Sequence, residues 1–152
     1  MRIALGADHA GYELKQKIRA RLEQQGIEVD DKGTIDNNSV DYPDYARQVG
    51  HDVADKKVDL GILVCGSGIG MAIAANKVPG VRAANVSTEY EAQMSREHND
   101  ANVLAIGARI LQNDQAFKIV DTWIKTQFAG GRHQKRLDKI SEIERQELAK
   151  TK

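Results

Sequence analysis

The sequence has one cysteine, Cys65, in 152 residues. No internal disulfide can form, and a lone thiol suits a reducing compartment. Long apolar runs are also missing: stretches such as Leu60 to Val64 fall far short of the ~20 residues that span a bilayer. Met1 to Leu5 runs straight into Gly6 and Asp8, with neither the apolar core nor the small-residue cleavage site of a signal peptide. A cytoplasmic protein without membrane contact is expected. An excess of either charge is absent too, since 22 Lys and Arg balance 22 Asp and Glu to a net charge of +0. That balance excludes general attraction to nucleic acid or anionic lipid, so any anion site has to be local. Internal repeats, low-complexity tracts and linkers are lacking. The length is a common one for a single unit, and one domain over 1–152 is expected.

What is present is an alternation of short apolar runs and longer periodic segments. Ile3 to Leu5, Leu60 to Val64, Val81 to Val86 and Val103 to Ile106 read as strands covered on both faces, and Ile27 to Val29 is a weaker fifth. Between them, apolar residues recur at helical spacing: Leu14, Ile18 and Leu22; Val49 and Val53; Phe117, Val120 and Ile124. Such alternation builds a parallel sheet through right-handed crossovers. The predicted class is α/β, a Rossmann-like three-layer α/β/α sandwich with a five-stranded parallel sheet in the order 2-1-3-4-5. Gly26 suits a helix stop, Pro43 an early helical position after Asp41 and Tyr42, and Pro79-Gly80 a turn before the fourth strand. Beyond Gly130-Gly131 a charged helix is predicted from about Gln134 to Lys150, with Leu137, Ile140, Ile143 and Leu148 as its apolar stripe. It reads equally as a frayed surface helix or as an element that packs on another subunit.

In open parallel sheets, ligands bind beyond the carboxyl ends of the strands. Cys65-Gly66-Ser67-Gly68-Ile69-Gly70 stands there, after the run Leu60 to Val64 and before the helix-like Met71 to Ala75. Glycines let backbone N–H groups converge and a helix N-terminus adds partial positive charge, which fits a bound anion. Three familiar loops are excluded. A P-loop ends Gly-Lys-Ser/Thr, whereas Met71 follows Gly70. A dinucleotide loop needs its third glycine one position later, on the first strand, and an acid closing the next strand, where Val86-Ser87 stands. A hydrolase elbow needs glycine two before and two after its serine, yet Cys65 and Ile69 hold those positions. What remains is either a tight turn around a buried small residue or a thiol poised over an anion loop. A helix N-terminus favours the thiolate, and a thiolate can take the proton beside a sugar carbonyl. The resulting enediolate needs preorganised N–H donors, which Gly66 to Gly70 could supply, while Ser67 could shuttle a proton between the two sugar oxygens. Nucleophilic acyl transfer is the rival use of Cys65.

Two further clusters draw notice. Gly6-Ala7-Asp8-His9-Ala10-Gly11 ends the first strand, where Asp8 also suits a helix N-cap with His9 merely exposed. Ser95-Arg96-Glu97-His98-Asn99-Asp100-Ala101-Asn102 follows the fourth strand, at what is taken as another place on the carboxyl edge. It reads as a solvated loop, except that His98 titrates in the range needed to move a proton to or from a ring oxygen. Arg109 follows the fifth strand, and Arg132 and Arg136 lie four apart, so that both can grip one phosphate or simply face solvent. The histidines His9, His51, His98 and His133 have no metal-ligand spacing, so no metal is expected, and His51 reads as a helix-surface residue.

As an ordered set, Asp8-His9-Ala10-Gly11, Asp41-Tyr42-Pro43, the Cys65–Gly70 loop, Ala74-Ala75-Asn76-Lys77, the Ser95–Asn102 run and Gly130-Gly131-Arg132-His133 resemble the ribose-5-phosphate isomerase B family over nearly the whole chain. The related galactose-6-phosphate and allose-6-phosphate isomerases share the pattern. The resemblance implies a cofactor-free, metal-independent interconversion of ribose 5-phosphate and ribulose 5-phosphate by a homodimer, sometimes paired into a tetramer, with the C-terminal helix packed on the partner subunit. It makes Cys65 the base between C1 and C2, the amides of Gly66, Ser67, Gly68, Ile69 and Gly70 the anion hole, and Ser67 the counterpart of a threonine in many members. Asp8 and Tyr42 would contact the sugar, and His9, Arg132 and Arg136 the phosphate. The partner would lend His98 to open the furanose ring, Asn99 to contact substrate and Arg109 to join the phosphate site. Relatives that use a glutamate base carry it further along the loop; Met71 stands there, so the chain is of the cysteine type. A six-carbon sugar phosphate, or a phosphosugar-binding module without catalysis, are the alternatives.

Overall fold

The computed structural model describes residues 1–150. Five strands, β1 (Arg2–Ala7), β2 (Glu28–Asp31), β3 (Leu60–Cys65), β4 (Ala83–Asn85) and β5 (Val103–Gly107), alternate with α1 (Tyr12–Gln24), α2 (Tyr42–Ala54), α3 (Ile69–Ala75), α4 (Glu89–Glu97) and α5 (Asn113–Lys125), and α6 (Arg132–Lys150) closes the chain. All strand pairs are parallel. The pleat sends successive side chains to opposite faces, and both faces are apolar. Ile3, Leu5, Ile62, Val64, Leu104 and Ile106 meet α1, α4 and α5 through Leu14, Ile18, Leu22, Ala92, Ile119 and Trp123. Ala4, Leu63, Cys65, Val103 and Ala105 meet α2 and α3 through Val49, Val53, Met71 and Ala75. This is the expected three-layer sandwich.

The strand order is corrected: the sheet runs β2-β1-β3-β5-β4, not 2-1-3-4-5. All five residues of β5 are buried, whereas β4 is three residues long and half-exposed. A strand with two apolar faces belongs inside the sheet, and a short polar-ended one belongs at the edge. The fourth apolar run is therefore only partly strand: Val81 and Val86 are buried as loop residues on either side of β4. Asn76 takes the place of a neighbouring strand there, its side-chain Nδ2 donating to the Ala83 carbonyl at 2.9 Å and its Oδ1 accepting from the Ala83 N–H at 2.8 Å.

Gly26 has φ +78 just past the end of α1, and Pro43 stands in the first turn of α2, as predicted. The N-cap of α1 is Gly11 rather than Asp8. The last helix begins at Arg132, two residues earlier than expected, with His133 and Leu137 buried and Ile140 and Ile143 exposed. Further along, the Gly80 N–H donates to Glu144 Oε1 at 3.0 Å. No helix among the described residues is long and apolar enough to cross a membrane.

Candidate active site

A cleft of about 650 Å³ opens at the carboxyl edge of β3, lined by Asp8, Tyr42, Ile73, Arg109, Ile110 and the glycine loop from Cys65 to Gly70. Cys65 is the last residue of β3, 5% exposed and in register with Gly107 of β5. The thiol is held by its own loop: the Gly68 N–H donates to Cys65 Sγ at 3.1 Å. That contact needs the loop to fold back at once, and Gly68 does so at φ +82, where a side chain would also come within 2.4 Å of Asn85 Nδ2. The Ile69 N–H donates to Ser67 Oγ at 3.2 Å as α3 begins.

The neighbouring strands supply the rest of the cleft. The loop after β5 is pinned to the glycine loop by Ala108 N–H to the Cys65 carbonyl (2.8 Å) and Arg109 N–H to the Gly66 carbonyl (3.0 Å). A Cβ on Gly107 would lie 2.7 Å from the Ser67 backbone, so glycine there is what lets the two loops touch. Asp8 is 8% exposed, and its Oδ1 accepts from the N–H groups of Ala10 and Gly11 at 3.0 and 3.1 Å. His9 Nδ1 accepts from the Val40 N–H at 3.2 Å, which in the neutral ring puts the proton on Nε2. Tyr42 lies on Gly70, where an added Cβ would be 2.6 Å from the ring.

His98 is not part of this cleft. It follows α4 and precedes β5, so the Ser95–Asn102 cluster lies at the amino edge of the sheet, contrary to the expectation that it shared the carboxyl edge. The length of β5 from Val103 to Gly107, about 13 Å at ~3.3 Å per residue, lies between that cluster and the Gly107 end beside Cys65. His98 stacks on His133, ring centroids 4.2 Å apart and planes 13° apart. Burial, then the charges of His98, Arg132 and Arg136, push the His133 imidazole below its ordinary pKa, against the pull of Glu97. Asn99, Arg132 and Arg136 are exposed at this edge. Within this chain Arg109 shares a cleft with Cys65, while Arg132 and Arg136 stand with His98. In an α/β chain each helix ends at the edge opposite the one where it began, and that sends α4 and its C-terminal histidine away from the glycine loop.

Three contributors were missed from sequence. Asn85 Nδ2 donates to the carbonyls of Ser67 and Ala105 at 3.3 and 3.1 Å, bracing the glycine loop from a strand that read simply as apolar. The exposed Ile73 and Ile110 rim the cleft, and only their exposure in a folded chain marks them out. Among the described residues no three His, Cys, Asp or Glu side chains gather as a metal site.

Comparison with known proteins points to one family. The sequence model of the family described as Ribose/Galactose Isomerase matches residues 3–140. Ribose-5-phosphate isomerase B of Escherichia coli (strain K12) is 52% identical over 94% of this chain and 96% of its own. The structure of Clostridium thermocellum ribose-5-phosphate isomerase B superposes with a TM-score of 0.95 at 53% identity, covering 96% of this chain and 99% of that one. The Mycoplasma genitalium enzyme, solved with bound ribulose-5-phosphate, gives 0.92 at 42% identity over 95% and 96% of the two chains.

Proposed function

This chain belongs to the Ribose/Galactose Isomerase family, and from that premise we propose that it interconverts ribose 5-phosphate and ribulose 5-phosphate through an enediolate, with Cys65 as the base. The observation that carries the reading is the Gly68 N–H on Cys65 Sγ at the floor of an open cleft. As a thiolate, Cys65 removes the proton from C2 of the open-chain aldose and returns it to C1. Negative charge gathers meanwhile on the C1 and C2 oxygens. The Gly68 and Ile69 amides are already turned onto Sγ and Ser67 Oγ, which leaves those of Gly66, Ser67 and Gly70 to hold the enediolate. Ser67 Oγ carries the proton between the two oxygens. The five-carbon substrate is favoured over six-carbon sugars by the relatives named for ribose 5-phosphate and by the ribulose-5-phosphate held in one of them. Retention of the full glycine loop, thiol included, argues against a module that only binds.

Ring opening needs a second proton carrier, a role imidazole chemistry suits, and the resemblance gives it to His98. Since it stands at the opposite edge of its own chain, the working site is assembled from two chains, with the partner's His98 and the partner's Asn99 brought over the cleft. His9 and Arg109 of one chain, with the partner's Arg132 and the partner's Arg136, grip the phosphate. Exposed Ile69, Ile73 and Ile110 around the cleft supply apolar surface for that pairing. The reaction uses no metal or organic cofactor and runs in the cytoplasm.

The test is exchange of the C1 proton of ribulose 5-phosphate with heavy water, followed by NMR. Cys65→Ala lowers exchange by about 10²- to 10⁴-fold, the usual worth of a general base, while substrate still binds. Exchange within a fewfold of the unmodified protein would remove the cysteine from this role.

A further inference from the structure

Asp100 lies in the same run as His98 and Asn99 but has no part in the reaction itself, and it is one of two non-glycine residues with positive φ among those described, at +42. Helices commonly end on a left-handed residue, but that residue is usually glycine because a Cβ costs energy there. Here an aspartate takes the strained conformation one residue after Asn99 and two after His98. Backbone strain persists only where surrounding contacts over-determine it.

The contacts are two arginines that bond the turn, one to each carboxylate oxygen of Asp100. Arg82 donates through Nε to the carbonyls of Asn99 and Asp100 at 3.1 and 3.2 Å, and through Nη2 to the Asp100 carbonyl at 2.9 Å and to its Oδ2 at 3.5 Å. Arg96 donates through Nη1 to Asp100 Oδ1 at 3.1 Å and to the Ala101 carbonyl at 2.6 Å, and through Nε to the Thr126 carbonyl at 3.3 Å. Arg96 is itself fixed, with its guanidinium 5.7 Å from the Trp123 ring. The Arg82 backbone is fixed as well, its N–H donating to Asn102 Oδ1 at 2.7 Å. Glycine at position 100 would relieve the strain but leave both arginines without the carboxylate they share. The turn is therefore held in one shape at the cost of backbone comfort, at the point where the chain presents His98 and Asn99.

We propose that Arg82 and Asp100 are positioning residues for the half-site this chain lends to its partner: the clamp on the Asn99 and Asp100 carbonyls fixes how His98 and Asn99 enter the neighbouring cleft. This rests on the two-chain reading of the site given above. A misplacement of about 1 Å in a reacting group costs on the order of a hundredfold in rate. Arg82→Ala and Asp100→Gly accordingly lower kcat for ribose 5-phosphate by roughly ten- to a hundredfold. Exchange of the C1 proton of ribulose 5-phosphate falls less, because that ketose is open-chain by constitution, its C5 oxygen being esterified. Asp100→Gly also keeps or raises the melting temperature, which separates positioning from loss of structure.

The deciding experiment uses mixed dimers purified through two different tags. Cys65→Ala paired with His98→Asn contains one intact site, and restores about half of the unmodified activity per dimer if the site is shared. Failure there would sink the two-chain reading itself. Cys65→Ala paired with Arg82→Ala, or with Asp100→Gly should the first fold poorly, likewise restores about half, because the intact Arg82 and Asp100 then accompany the His98 that serves the intact Cys65. If the His98 pairing restores activity and neither clamp pairing does, or if both clamp variants keep kcat within twofold as homodimers, the assignment of Arg82 and Asp100 is overturned while the shared site stands.

Discussion

At the scale of single residues, the cleft depends on what glycine omits. Gly11 lies so close to β3 that a Cβ would sit 2.3 Å from the Val64 carbonyl oxygen, and Gly107 so close to Ser67 that it would sit 2.7 Å from that backbone. Neither neighbour is a flexible side-chain end that can swing away. Gly107→Ala is therefore expected to destabilise the fold by about 1–3 kcal/mol, as overpacking does, and to lower kcat by shifting Ser67 and the Cys65 loop. Urea unfolding and steady-state assays check both, with Gly130→Ala as the comparison: Gly130 has positive φ, which Gly107 does not, and its Cβ would meet nothing within 4 Å. A Gly107→Ala variant as stable and as active as the unmodified protein would remove the contact with Ser67 from this role.

At the scale of elements, α1 and β2 are joined by a buried ion pair. Lys15 is 1% exposed, and its Nζ donates to both oxygens of Asp31 at 2.6 and 2.8 Å, with Arg19 Nη1 adding a third bond at 3.1 Å. Asp31 Oδ1 also accepts from the Gly33 N–H at 2.8 Å, and Gly33 and Thr34 pair with Ala7, the residue before Asp8. Burial, the largest single influence, pushes the Asp31 carboxyl up; the bonds from Lys15 and Gly33 and the charges of Lys15 and Arg19 together outweigh it and hold the carboxyl below its usual range. A folded-state pKa below the unfolded one gives stability that is present above the unfolded value near ~3.9 and lost as pH falls through the folded one. The melting temperature should thus decline in acid below about pH 4, and Asp31→Asn should remove that part of the decline while lowering stability at neutral pH. An unchanged acid limb in the variant would exclude Asp31 as its source.

At the scale of the whole molecule, the two-chain reading proposed above gives each chain two half-sites at opposite sheet edges, neither complete alone. Activity per chain should fall on dilution through the dimer dissociation range while the fold persists. The fluorescence of Trp123, which is fully buried in the α5 layer, reports the fold separately. Loss of both signals together would mean that the single chain is not stable on its own; constant activity at every concentration would argue for a site complete in one chain.

Much of this was legible in the letters. The apolar runs Ile3 to Leu5, Leu60 to Val64 and Val103 to Ile106 are strands, the glycine loop stands at a carboxyl edge, and Cys65 is at its base. These are local facts: a run apolar on both faces must be covered twice, and glycines spaced around a lone thiol announce a backbone that has to turn tightly. Strand order, the edge on which His98 falls, the place of Arg109 in the cleft beside Cys65 and the clamp around Asp100 were decided only by the tertiary structure. Each depends on competition between distant segments. β5 takes the place beside β3 because it buries both faces better than β4, and the direction of α4 then carries His98 to the far edge. Short-range periodicity records which residues want to be covered, but not which neighbour wins the place beside them.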